Sequence, residues 1–537
     1  MTVGRPTIAR LIDDLSITPV AHADLSLVPT DLTEDSRRVT PGCLFVARKG
    51  RKHDGGEFAR AALDAGAAAI LTDDPQLAHM LSTRCTALVA TRVPEVLPRL
   101  AERFFGEPGS RLSLVAATGT NGKSTIVHLV RAMINGVGER AETPARCGLI
   151  GTIETDDGEA RARSLLTTPM PIDLSRALAR MVERGCTHAA LETSSHGLAQ
   201  GRVDALRFDI AIFTNLTGDH LDEHGTMENY ADAKAILFRT LHPEAAAIVN
   251  ADSPWGERMV ADCLAPLVRC RMHGPRAHDA DATAEVLDQS VEGQRVALRG
   301  PWGVIETTTP MLGAHNAMNL LQAFAACHRL GFDAERLGEL VPSIDAPTGR
   351  LQRVRVDARG ANEPGAARSL PAVFIDYAHT DDALAKALEA LRPLLGSGRL
   401  WCVFGCGGDR DATKRPRMGR VAGRLSDVPV LTSDNPRSED PMRIAEDVIA
   451  GFDEDAASRA IVRLDRGEAI ELAVHLAGPE DIVLIAGKGH ETSQLLPDDR
   501  GGVRSREFVD ETHARAALES RGRVRSRARS RRTRGTA

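Results

Sequence analysis

Eight short apolar runs, each followed at once by polar or glycine residues, limit how this chain can fold. The runs lie in the stretches RLSLVAA, HAALETSSHG, FDIAIFTNLTGDH, AAAIVNADS, AVFIDYAHT, RLWCVFGCGGDRD, VPVLTSDNPRSEDP and DIVLIAGKGHE. Helical patterns alternate with these runs, and continuously apolar strands belong to parallel sheets that helices cover on both faces. The sequence therefore predicts an α/β fold. Because ligands bind outside the carboxyl ends of such strands, the polar residues after the runs are the candidate site residues.

The order of these patterns divides the chain into three predicted domains. A length of 537 residues suits about three domains of roughly 100–200 residues each. FFGEPGSR (104–111) has the composition of a linker, and a new series of strands begins after IDAPTGRLQ (344–352). We predict a smaller N-terminal α/β domain over 1–109, a central parallel-sheet domain over 110–346 and a similar C-terminal domain over 347–520. Two parallel-sheet domains that face each other would enclose a cleft.

Composition excludes several kinds of partner. Hydrophobic residues make up 42% and charged residues 26% of the chain, which fits a soluble globular protein. Aromatic residues make up only 3%, which argues against stacking on nucleic acid bases. No stretch approaches the ~20 apolar residues of a membrane span. Nine cysteines without zinc-type spacing, behind an N-terminus that lacks a signal sequence, indicate a reduced, cytoplasmic protein.

The C-terminal tail differs sharply from the rest of the chain. RGRVRSRARSRRTRGTA (521–537) contains eight Arg and no acidic residue, whereas the net charge of the whole chain is −6. A segment of this kind has little apolar surface to bury, so the sequence predicts a disordered, solvated extension over 521–537. Contact with an anionic polymer is the alternative.

The stretch AATGTNGKST (116–125) has the context of a phosphate-binding loop with one residue changed. It follows an apolar run and precedes a helical pattern. Its glycines allow close backbone approach, Lys123 can bridge phosphates and Ser124 can ligate Mg²⁺. Ala117 stands where the general pattern has its first Gly. A plain Gly-rich turn is the alternative, and the loop alone indicates nucleotide binding and no more.

We call residues 1–109, 110–346 and 347–520 the N-terminal, central and C-terminal blocks. Two further polar clusters follow strands in the central block. Glu192 ends the run in HAALETSSHG, where a second metal carboxylate would lie, and a buried or capping Glu is the alternative. The loop in NLTGDHLDEHG holds four potential ligands: Asp219, His220, Asp222 and His224. Their density after a strand favours a metal or phosphate site over structural histidines. Lys234 lies on the helix that follows, and taken alone it is expected to be a surface lysine.

Nine motifs in order along the chain resemble those of the Mur ligase family. They are ATGTNGKST, ETSSHGL, NLTGDHLDEHG, AHNAMN, TGRLQ, DYAHT, FGCGGDRDATKRP, DNPRSEDP and GKGHE. The match runs from about Ser36 to Glu491, and it is strongest to the members that add the third residue of the peptidoglycan stem peptide. The family uses a small residue at the position of Ala117, so that residue is no defect there.

The resemblance implies ATP-driven amide formation. The D-Glu side-chain carboxylate of UDP-MurNAc-L-Ala-D-Glu takes the γ-phosphate of ATP, becomes an acyl phosphate and is attacked by the incoming amine. The N-terminal domain would bind the UDP substrate, and a central P-loop ATPase domain would bind ATP. A Rossmann-like C-terminal domain would bind the amino acid and would swing to close the cleft. A monomer that binds neither nucleic acid nor membrane is expected.

The resemblance also assigns residues to the nucleotide and the metal. ATP-binding residues would be Gly119, Thr120, Asn121, Gly122, Lys123, Ser124, Thr125, Asn316, Arg350 and Asp376. The catalytic residues would be Lys123, Glu192, His220 and Lys234. Ser124 and Glu192 would hold one Mg²⁺ and His220 a second. In the family the lysine that matches Lys234 is carbamylated by CO₂, so N6-carboxylysine is expected there. Structural roles are the alternatives for three of these residues, namely a helix start for Asn316, a surface ion pair for Arg350 and a cap for Asp376.

The two remaining substrates receive their own sets of residues. Contacts to UDP-MurNAc-L-Ala-D-Glu are implied for Ser36, Arg51, Lys52, His53, Thr167, Thr168, Ser194, Gln200 and Arg202. Residues 51–53 depart from the family pattern, and turn or capping roles remain open for the Ser and Thr residues. Contacts to meso-2,6-diaminopimelate are implied for Arg410, Asp434, Asn435, Pro436, Arg437, Gly487 and Glu491.

The tetrapeptide DNPR (434–437) carries the expected choice of amine. Arg437 can pair in bidentate fashion with the distal carboxylate of diaminopimelate, and Glu491 suits the distal ammonium. Lysine lacks that carboxylate and would leave the arginine unpaired. Taken alone, DNPR is a β-turn after a strand. The competing interpretations of the whole chain are a folylpolyglutamate-synthase-like ligase, a lysine-adding ligase and a non-catalytic ATP-dependent switch.

Overall fold

The computed structural model describes residues 4–50, 54–139, 144–218, 221–356, 370–498 and 500–534. For residues 221, 222 and 523–534 the description covers the backbone alone. Three sheets of five, eleven and six strands follow one another along the chain, and a two-stranded hairpin comes after the third. The three sheets span residues 18–89, 113–309 and 352–486. The domain boundaries near 109 and 346 remain predictions.

The first sheet has the order β1-β5-β4-β3-β2. Its strands are β1 Thr18–Pro19, β2 Leu32–Thr33, β3 Leu44–Ala47, β4 Ala69–Thr72 and β5 Thr86–Val89. Its helices are α1 Ile8–Ile12, α2 Ala59–Asp64, α3 Pro75–Leu81 and α4 Val93–Phe104. Strands β2 to β5 are parallel, and β1 adds an antiparallel edge.

The second sheet has the order β16-β15-β14-β13-β12-β11-β6-β10-β7-β8-β9. Its strands are β6 Ser113–Thr118, β7 Cys147–Ile150, β8 Glu154–Asp156, β9 Arg161–Arg163, β10 His188–Glu192, β11 Ile210–Phe213, β12 Ala246–Asn250, β13 Leu267–Met272, β14 Ala282–Ser290, β15 Gly293–Gly300 and β16 Gly303–Thr309. Its helices are α5 Lys123–Gly138, α6 Pro171–Glu183, α7 Ser195–Ala199, α8 Leu221–His224, α9 Met227–Arg239, α10 Gly256–Val260, α11 Ala314–Arg329 and α12 Ala334–Leu340. Strands β6, β7 and β10 to β14 are parallel, and an antiparallel hairpin extends each edge.

The third sheet has the order β17-β18-β22-β19-β20-β21, and β23 pairs with β24. Its strands are β17 Gln352–Arg353, β18 Ala372–Asp376, β19 Leu400–Phe404, β20 Val428–Leu431, β21 Ile461–Val462 and β22 Ile482–Ala486. The hairpin strands are β23 Ser493–Pro497 and β24 Val503–Glu507. The helices are α13 Asp381–Leu391, α14 Lys414–Leu425, α15 Pro441–Ile449, α16 Glu454–Arg459, α17 Arg466–Leu476 and α18 Asp510–Arg534.

The apolar runs are buried on both faces, as their composition predicts. Along β6, Leu114 and Ala116 pack into one hydrophobic cluster, while Val115 and Ala117 pack into another on the opposite face. Side chains alternate between the two faces of a strand, so a strand covered by helices on both sides must be apolar at every position. The strands expected from all eight runs are present, which confirms the α/β prediction.

The end of the chain differs from its prediction. Helix α18 continues through Arg534, where a disordered tail was expected from Arg521 onward. The first half of the helix explains the difference, because Ala514, Ala517 and Leu518 are buried against the third sheet. Once a helix is nucleated, each further residue adds a hydrogen bond at low cost, and Arg is a good helix former. None of the described helices has both the length and the hydropathy of a transmembrane span.

Polar contacts join neighbouring sheets. Arg176 on α6 donates to Asp31 at 3.0 Å and to the Leu32 carbonyl at 2.7 Å, which ties the central block to the N-terminal one. Arg163 on β9 donates to Thr492 Oγ1 at 3.0 Å, which ties the central block to the C-terminal one. Asn121, in the loop after β6, donates to Asp382 Oδ2, after β18, at 3.2 Å, so the carboxyl ends of these strands of the second and third sheets lie close to each other.

Candidate active site

The centre of the site is the carboxyl end of β6, between β10 and β11. Ala117 is the Cα partner of Glu192 on β10 and of Ile212 on β11, and it has no exposed surface. It belongs to the strand, which explains why a small apolar residue stands at the position of the first Gly in the general pattern. The loops that follow these three strands meet at one edge of the sheet.

Two glycines give the loop after β6 its shape. Gly119 and Gly122 have φ values of +145° and +92°, which side chains of L-residues rarely adopt. A Cβ on Gly119 would lie 1.9 Å from Thr214 Oγ1, and one on Gly122 would lie 2.6 Å from Asn319 Oδ1. Any larger residue would displace the loop, so the two glycines are structural requirements.

The loop after β11 holds the glycine loop in place. The Asn121 N–H donates to Asn215 Oδ1 at 3.0 Å, and the Thr120 N–H donates to the Asn215 carbonyl at 2.8 Å. The Thr217 N–H donates to Thr120 Oγ1 at 3.0 Å. Sequence reasoning missed Asn215 and Thr217. They could have been found from their position directly after an apolar run, in the stretch TNLT.

Both predicted lysines converge on a single carbonyl group. Lys123 Nζ and Lys234 Nζ each donate to the Gly119 carbonyl at 2.9 Å. Lys234 also lies over the Tyr230 ring, 4.4 Å from its centroid, and is only 1% exposed. The interpretation of Lys234 as a surface lysine is therefore wrong. It lies on the face of α9 that packs against the sheet, where the residue type alone did not predict burial.

Glu192 is oriented by a threonine from the neighbouring strand end. The carboxylate is 2% exposed and accepts hydrogen bonds from Thr152 N–H at 2.7 Å and from Thr152 Oγ1 at 3.0 Å. An ionised carboxylate can accept about four hydrogen bonds, so acceptor capacity remains. Thr152 follows β7 and was missed by sequence reasoning.

The residues proposed to hold metal have the donor chemistry that Mg²⁺ prefers. Ser124, at the start of α5, and Glu192 offer a hydroxyl and a carboxylate, which are hard oxygen donors. Within the described ranges, no group of three or more His, Cys, Asp and Glu side chains is arranged to hold a metal ion. Asp219 and His220 lie outside those ranges, as does the side chain of Asp222.

The remaining histidine of that cluster has a defined contact. His224 Nε2 lies 3.0 Å from Ser195 Oγ, and its ring centroid is 5.0 Å from that of Tyr230. Tyr230 OH is in turn 3.3 Å from Thr120 Oγ1. His224 therefore packs beside the glycine loop through two other side chains.

Most residues expected to bind the UDP substrate form one network after β10. Thr168 Oγ1 donates to the Glu192 carbonyl at 2.8 Å and lies 3.2 Å from Ser194 Oγ. Ser194 caps α7 by accepting from the Gly197 N–H at 3.1 Å. Capping and substrate contact are thus compatible for this serine, because a hydroxyl can both donate and accept.

The same network continues to the other residues of this set. Arg202 donates to Gln200 Oε1 at 2.7 Å, and Thr167 Oγ1 lies 3.0 Å from Thr152 Oγ1. Ser36 lies apart, at the start of a short 3₁₀ turn in the N-terminal block, and among the described residues it makes no side-chain hydrogen bond. Arg51, Lys52 and His53 lie outside the described residues.

Asn316 has a structural role near the glycine loop. Its Nδ2 donates to the Leu312 carbonyl at 2.9 Å, and its Oδ1 accepts from Asn319 Nδ2 at 3.2 Å. Asn319 is the residue that a Cβ on Gly122 would meet. Both amides are nearly buried at the start of α11, so Asn316 helps to position the wall of the loop.

Arg350 reaches the loop from the C-terminal side. Its Nη2 donates to Ser124 Oγ at 3.2 Å, and its guanidinium lies over the Tyr377 ring at 4.8 Å. Asn121 Nδ2 makes a second contact of this kind, to Asp382 Oδ2 at 3.2 Å. Asp382, at the start of α13, was missed by sequence reasoning. The sequence around a residue does not show which distant residue it contacts in the fold.

Asp376 supports the segment that carries Arg350. Its carboxylate accepts from the Leu351 N–H at 2.6 Å and from the Ala378 N–H at 2.8 Å. Burial raises the pKa of Asp376 to about 6, and the Arg350 charge and the two N–H donors limit the rise. Asp376 therefore has the capping role that was expected as an alternative, and the backbone that it caps belongs to the segment that carries Arg350.

The second half of the site lies at the carboxyl ends of β19, β20 and β22. Asp434 to Arg437 follow β20, Gly487 follows β22, and Arg410 is exposed on the loop after β19. Arg437 Nη1 donates to the Gly408 carbonyl at 2.7 Å, which links the loops after β19 and β20. Arg437 has φ +54°, a left-handed backbone conformation, so the tetrapeptide 434–437 does not end in extended backbone.

The tetrapeptide packs tightly against its neighbours. The Gly408 N–H donates to the Asn435 carbonyl at 2.9 Å, and a Cβ on Gly408 would lie 2.0 Å from the Pro436 carbonyl oxygen. Gly487 has φ +114°, and a Cβ there would lie 2.4 Å from Asp434 Oδ2. Glycine is therefore required at both positions.

Glu491 is committed to a buried lysine. Lys488 Nζ, with no exposed surface, donates to Glu491 Oε2 at 2.7 Å and to Asn435 Oδ1 at 3.1 Å. Asn435 Nδ2 donates to the same Glu491 oxygen at 2.8 Å. Burial favours a higher pKa for Glu491, but the Lys488 ammonium and the Asn435 amide outweigh it and lower the pKa. Sequence reasoning missed Lys488, which stands inside the quoted GKGHE motif.

The fold and the site together define a class of protein, an α/β protein with three successive sheets whose phosphate-type loop faces a second parallel sheet. Three family descriptions match in order: "Mur ligase family, catalytic domain" over 30–105, "Mur ligase middle domain" over 117–327 and "Mur ligase, glutamate ligase domain" over 364–489. The chain belongs to the Mur ligase family.

Individual relatives support this assignment. The UDP-N-acetylmuramoyl-L-alanyl-D-glutamate–2,6-diaminopimelate ligase of Synechococcus elongatus is 41% identical over 503 residues, which cover 93% of this chain and 96% of the relative. A solved structure of a ligase with the same name is 31% identical, with a TM-score of 0.65 and coverage of 96% and 99%. Mycobacterium tuberculosis folylpolyglutamate synthase, complexed with ADP and AMPPCP, is 18% identical, has a TM-score of 0.57 and covers 73% of this chain and 92% of its own. That last likeness concerns the fold alone.

Proposed function

We propose that this chain joins meso-2,6-diaminopimelate to the D-Glu side chain of UDP-MurNAc-L-Ala-D-Glu, with ATP converted to ADP and phosphate, in the synthesis of peptidoglycan precursors. One observation supports the choice of amine: Asp434 to Arg437 lie at the carboxyl end of β20, beside the loops after β19 and β22. Family membership and the Synechococcus elongatus relative support the rest of the reaction.

The nucleotide would bind at the loop after β6. The start of α5 presents unpaired N–H groups and the positive end of the helix dipole to phosphate oxygens. Lys123 would leave the Gly119 carbonyl for the phosphates, since a phosphate is the stronger acceptor. Arg350 would meet the charge that develops on the transferred phosphoryl group. The remaining expected ATP contacts, Thr120, Asn121 and Thr125, lie on the same loop and helix.

A carboxylate is a poor acyl donor, and phosphorylation gives it a leaving group. The D-Glu oxygen attacks the γ-phosphorus, the bond from that phosphorus to the β,γ-bridging oxygen breaks, and ADP leaves. The neutral amine then attacks the acyl carbon, the bond from that carbon to the phosphate oxygen breaks, inorganic phosphate leaves, and the nitrogen releases one proton to solvent. The tetrahedral state between these events carries a negative oxygen, which nearby cations stabilise.

Mg²⁺ would be held by Ser124 and Glu192, with His220 and the modified Lys234 as the expected ligands for a second ion. When bound, Mg²⁺ offsets the negative charge of the phosphates and of the attacking carboxylate. Thr152 would orient the Glu192 carboxylate for this role, because it uses only part of the acceptor capacity of that group.

Lys234 would act as a carbamate. In the structure its Nζ lies within reach of the Gly119 carbonyl, at the edge of the phosphate loop. A carbamate there would replace a cation with an anion and so would suit a metal. Native mass spectrometry near neutral pH, with and without bicarbonate, would show the added CO₂, because a carbamate keeps its CO₂ only when it is not acidified. An unchanged mass in active enzyme at saturating bicarbonate would remove this part of the proposal.

The UDP substrate would extend from the N-terminal block to the network after β10. Ser36 would contact the uridine nucleotide together with residues 51–53, and the hydroxyls of Thr167, Thr168 and Ser194 would contact the muramoyl dipeptide. Arg202, held by Gln200, would contact phosphate. The three predicted domains, a monomeric state and a cytoplasmic location complete the proposal.

The test is phosphate release from ATP in the presence of UDP-MurNAc-L-Ala-D-Glu and one amine at a time. Turnover is expected with meso-diaminopimelate and at least about a hundredfold less with L-lysine, because a site built for a distal carboxylate is left unpaired by lysine. Turnover with lysine alone would assign a lysine-adding ligase. Turnover with a folate substrate and glutamate would assign the folylpolyglutamate class, and ATP binding without turnover would indicate a switch.

A further inference from the structure

A fully buried arginine lies at the carboxyl end of β22, directly before Gly487. Arg466 is the first residue of α17, and its Nε and Nη2 donate to the two carboxylate oxygens of Asp510, each at 2.7 Å. Neither side chain has exposed surface. Nη2 also donates to the Ala486 carbonyl at 3.0 Å. Arg466 therefore ties the starts of α17 and α18 to the last residue of β22, directly before Gly487.

Two buried polar atoms in this region make no hydrogen bond within the described part of the chain. They are Nη1 of Arg466 and Oδ2 of Asp434. Oδ2 lies 2.4 Å from the place that a Cβ on Gly487 would take, so this oxygen faces the Gly487 backbone. Unpaired buried polar atoms are unfavourable and rare. The Asp434 oxygen beside the Gly487 backbone therefore indicates a place where a polar group from a ligand would complete the hydrogen bonding.

The charges around Asp434 make Arg466 the main cation that acts on it. The titratable and charged groups that face Asp434 come from α17, the loop after β22, α18 and the end of β19: Arg466, Lys488, Glu491, Asp510 and Cys406. Burial raises the pKa of Asp434, and Arg466 opposes this rise most strongly, followed by Lys488. Glu491 and Asp510 act in the other direction.

We propose that Arg466 is a positioning residue of the amine site, whose charge and hydrogen bonds hold Asp434 and the Gly487 backbone in place for an ammonium group. Asp510 fixes the arginine, the arginine fixes the end of β22, and Asp434 presents its unpaired oxygen to the amino acid. This inference rests on the proposed function, since it assumes that the ligand at this edge is an amino acid.

The test is Arg466→Gln, which removes the charge and keeps a polar side chain. The KM for meso-diaminopimelate at pH 7 should rise about tenfold, the order expected when a hydrogen bond to a charged group is lost. The KM values for ATP and for the UDP substrate should stay within about twofold, because Arg466 touches neither site. Without the Arg466 charge Asp434 releases its proton at higher pH, so the KM for the amine should recover as the pH rises.

Arg131→Gln is the matched control. Arg131 on α5 and Asp156 on β8 form another buried ion pair, each with 8% side-chain exposure, in the central block. The control removes the same kind of pair away from the amine site, so it should lower stability without shifting the pH dependence of the KM for diaminopimelate. An equal pH shift in both variants would contradict a positioning role for Arg466.

Other outcomes separate this inference from the proposed function. A folded Arg466→Gln enzyme with the wild-type KM for diaminopimelate at every pH overturns the role of Arg466. If that variant does not fold, Arg466→Lys keeps the charge and should raise the KM for the amine alone, with the wild-type pH dependence. A rise shared by all three substrates would contradict the inference. Wild-type enzyme that turns over no diaminopimelate overturns the proposed function instead.

Discussion

The two halves of the site hold their charged groups differently. At the end of β6, Lys123 and Lys234 donate to a backbone carbonyl, and Ser124 accepts from Arg350, which arrives from the C-terminal side. At the ends of β20 and β22, Arg466 and Lys488 form ion pairs with carboxylates of the same block. The nucleotide half therefore depends on how the two blocks meet, whereas the amine half is assembled within one block.

The difference has a physical basis. Buried ion pairs need well-aligned hydrogen bonds to offset desolvation, so they hold a loop in one geometry. A lysine that donates to a carbonyl gives up little when a phosphate replaces that carbonyl. The amine half is thus suited to choosing between similar amino acids, and the nucleotide half to taking up and releasing a highly charged substrate.

The largest expected effect is the loss of kcat when Lys123 in the nucleotide half is substituted. Lys123→Gln should lower kcat for phosphate release about a thousandfold, because a preorganised cation near the transferred phosphoryl group is lost. Diaminopimelate binding, measured by calorimetry, should change less than about twofold, because the two halves are separate. A variant that loses amine binding as severely as turnover would show that the two halves are not independent.

A smaller effect, confined to the amine half, is expected for Arg437. Arg437→Lys should lower the preference for diaminopimelate over lysine about a hundredfold, since a point charge does not replace the planar fork. The ratio of the two kcat/KM values measures this preference. Arg420→Lys, on the exposed side of α14, is the control and should keep the ratio. A ratio unchanged in Arg437→Lys would refute the role of this residue.

Asp376 lies where the two halves meet, and its titration should make the free energy of unfolding depend on pH. Its pKa is about 6 in the folded protein against an ordinary value of 3.8, so between these values the folded state keeps a proton that the unfolded chain releases. The stabilising contribution is present in full below pH 3.8 and is lost as the pH rises through about 6.

The loss should amount to about 2 kcal/mol, less than full burial would give, because the side chain keeps some access to solvent. Urea unfolding of the wild type and of Asp376→Asn between pH 4 and pH 7 would measure it. The variant should lack this downward slope. A wild-type free energy of unfolding that rises more steeply with pH than that of the variant would contradict the raised pKa.

The smallest effect is expected at the contact between the blocks. Asp382→Ala removes the acceptor for Asn121 and should raise the KM for ATP about threefold, in line with a partly exposed polar pair. Asp381→Ala is the control, since Asp381 lies beside it on α13 and pairs with Arg417 of the same block. Equal changes in both variants would mean that the helix start matters and the contact does not.

Much of the fold could be predicted because burial leaves a simple pattern. Strands such as β19 and β22 are apolar at each position, so their boundaries and the site residues after them could be read directly. The antiparallel strands β14 to β16 were not anticipated. Their burial is mixed, because β14 begins with three buried residues and ends partly exposed and β16 is mostly exposed, and a mixed polar pattern of this kind resembles a loop.

The site was predicted less completely, for a different reason. Lys234 has the residue type of the surface but lies on the buried face of α9. Thr152, Asp382 and Arg466 have no motif of their own, and they matter through the groups that they touch. A motif names a residue and its neighbours in the chain, whereas a supporting contact depends on strand order and helix packing.

The sequence by itself determined the family, the parallel sheets and the identity of the glycine loop and of DNPR, because each of these is a local run of residues with a local physical meaning. Only the tertiary structure decided that Lys123 and Lys234 share the Gly119 carbonyl, that Arg350 reaches Ser124, and that Arg466 donates to the Ala486 carbonyl beside Gly487. These contacts join residues that are far apart in the chain. They form because parallel strands bring their carboxyl ends to one edge, and because two such edges face each other.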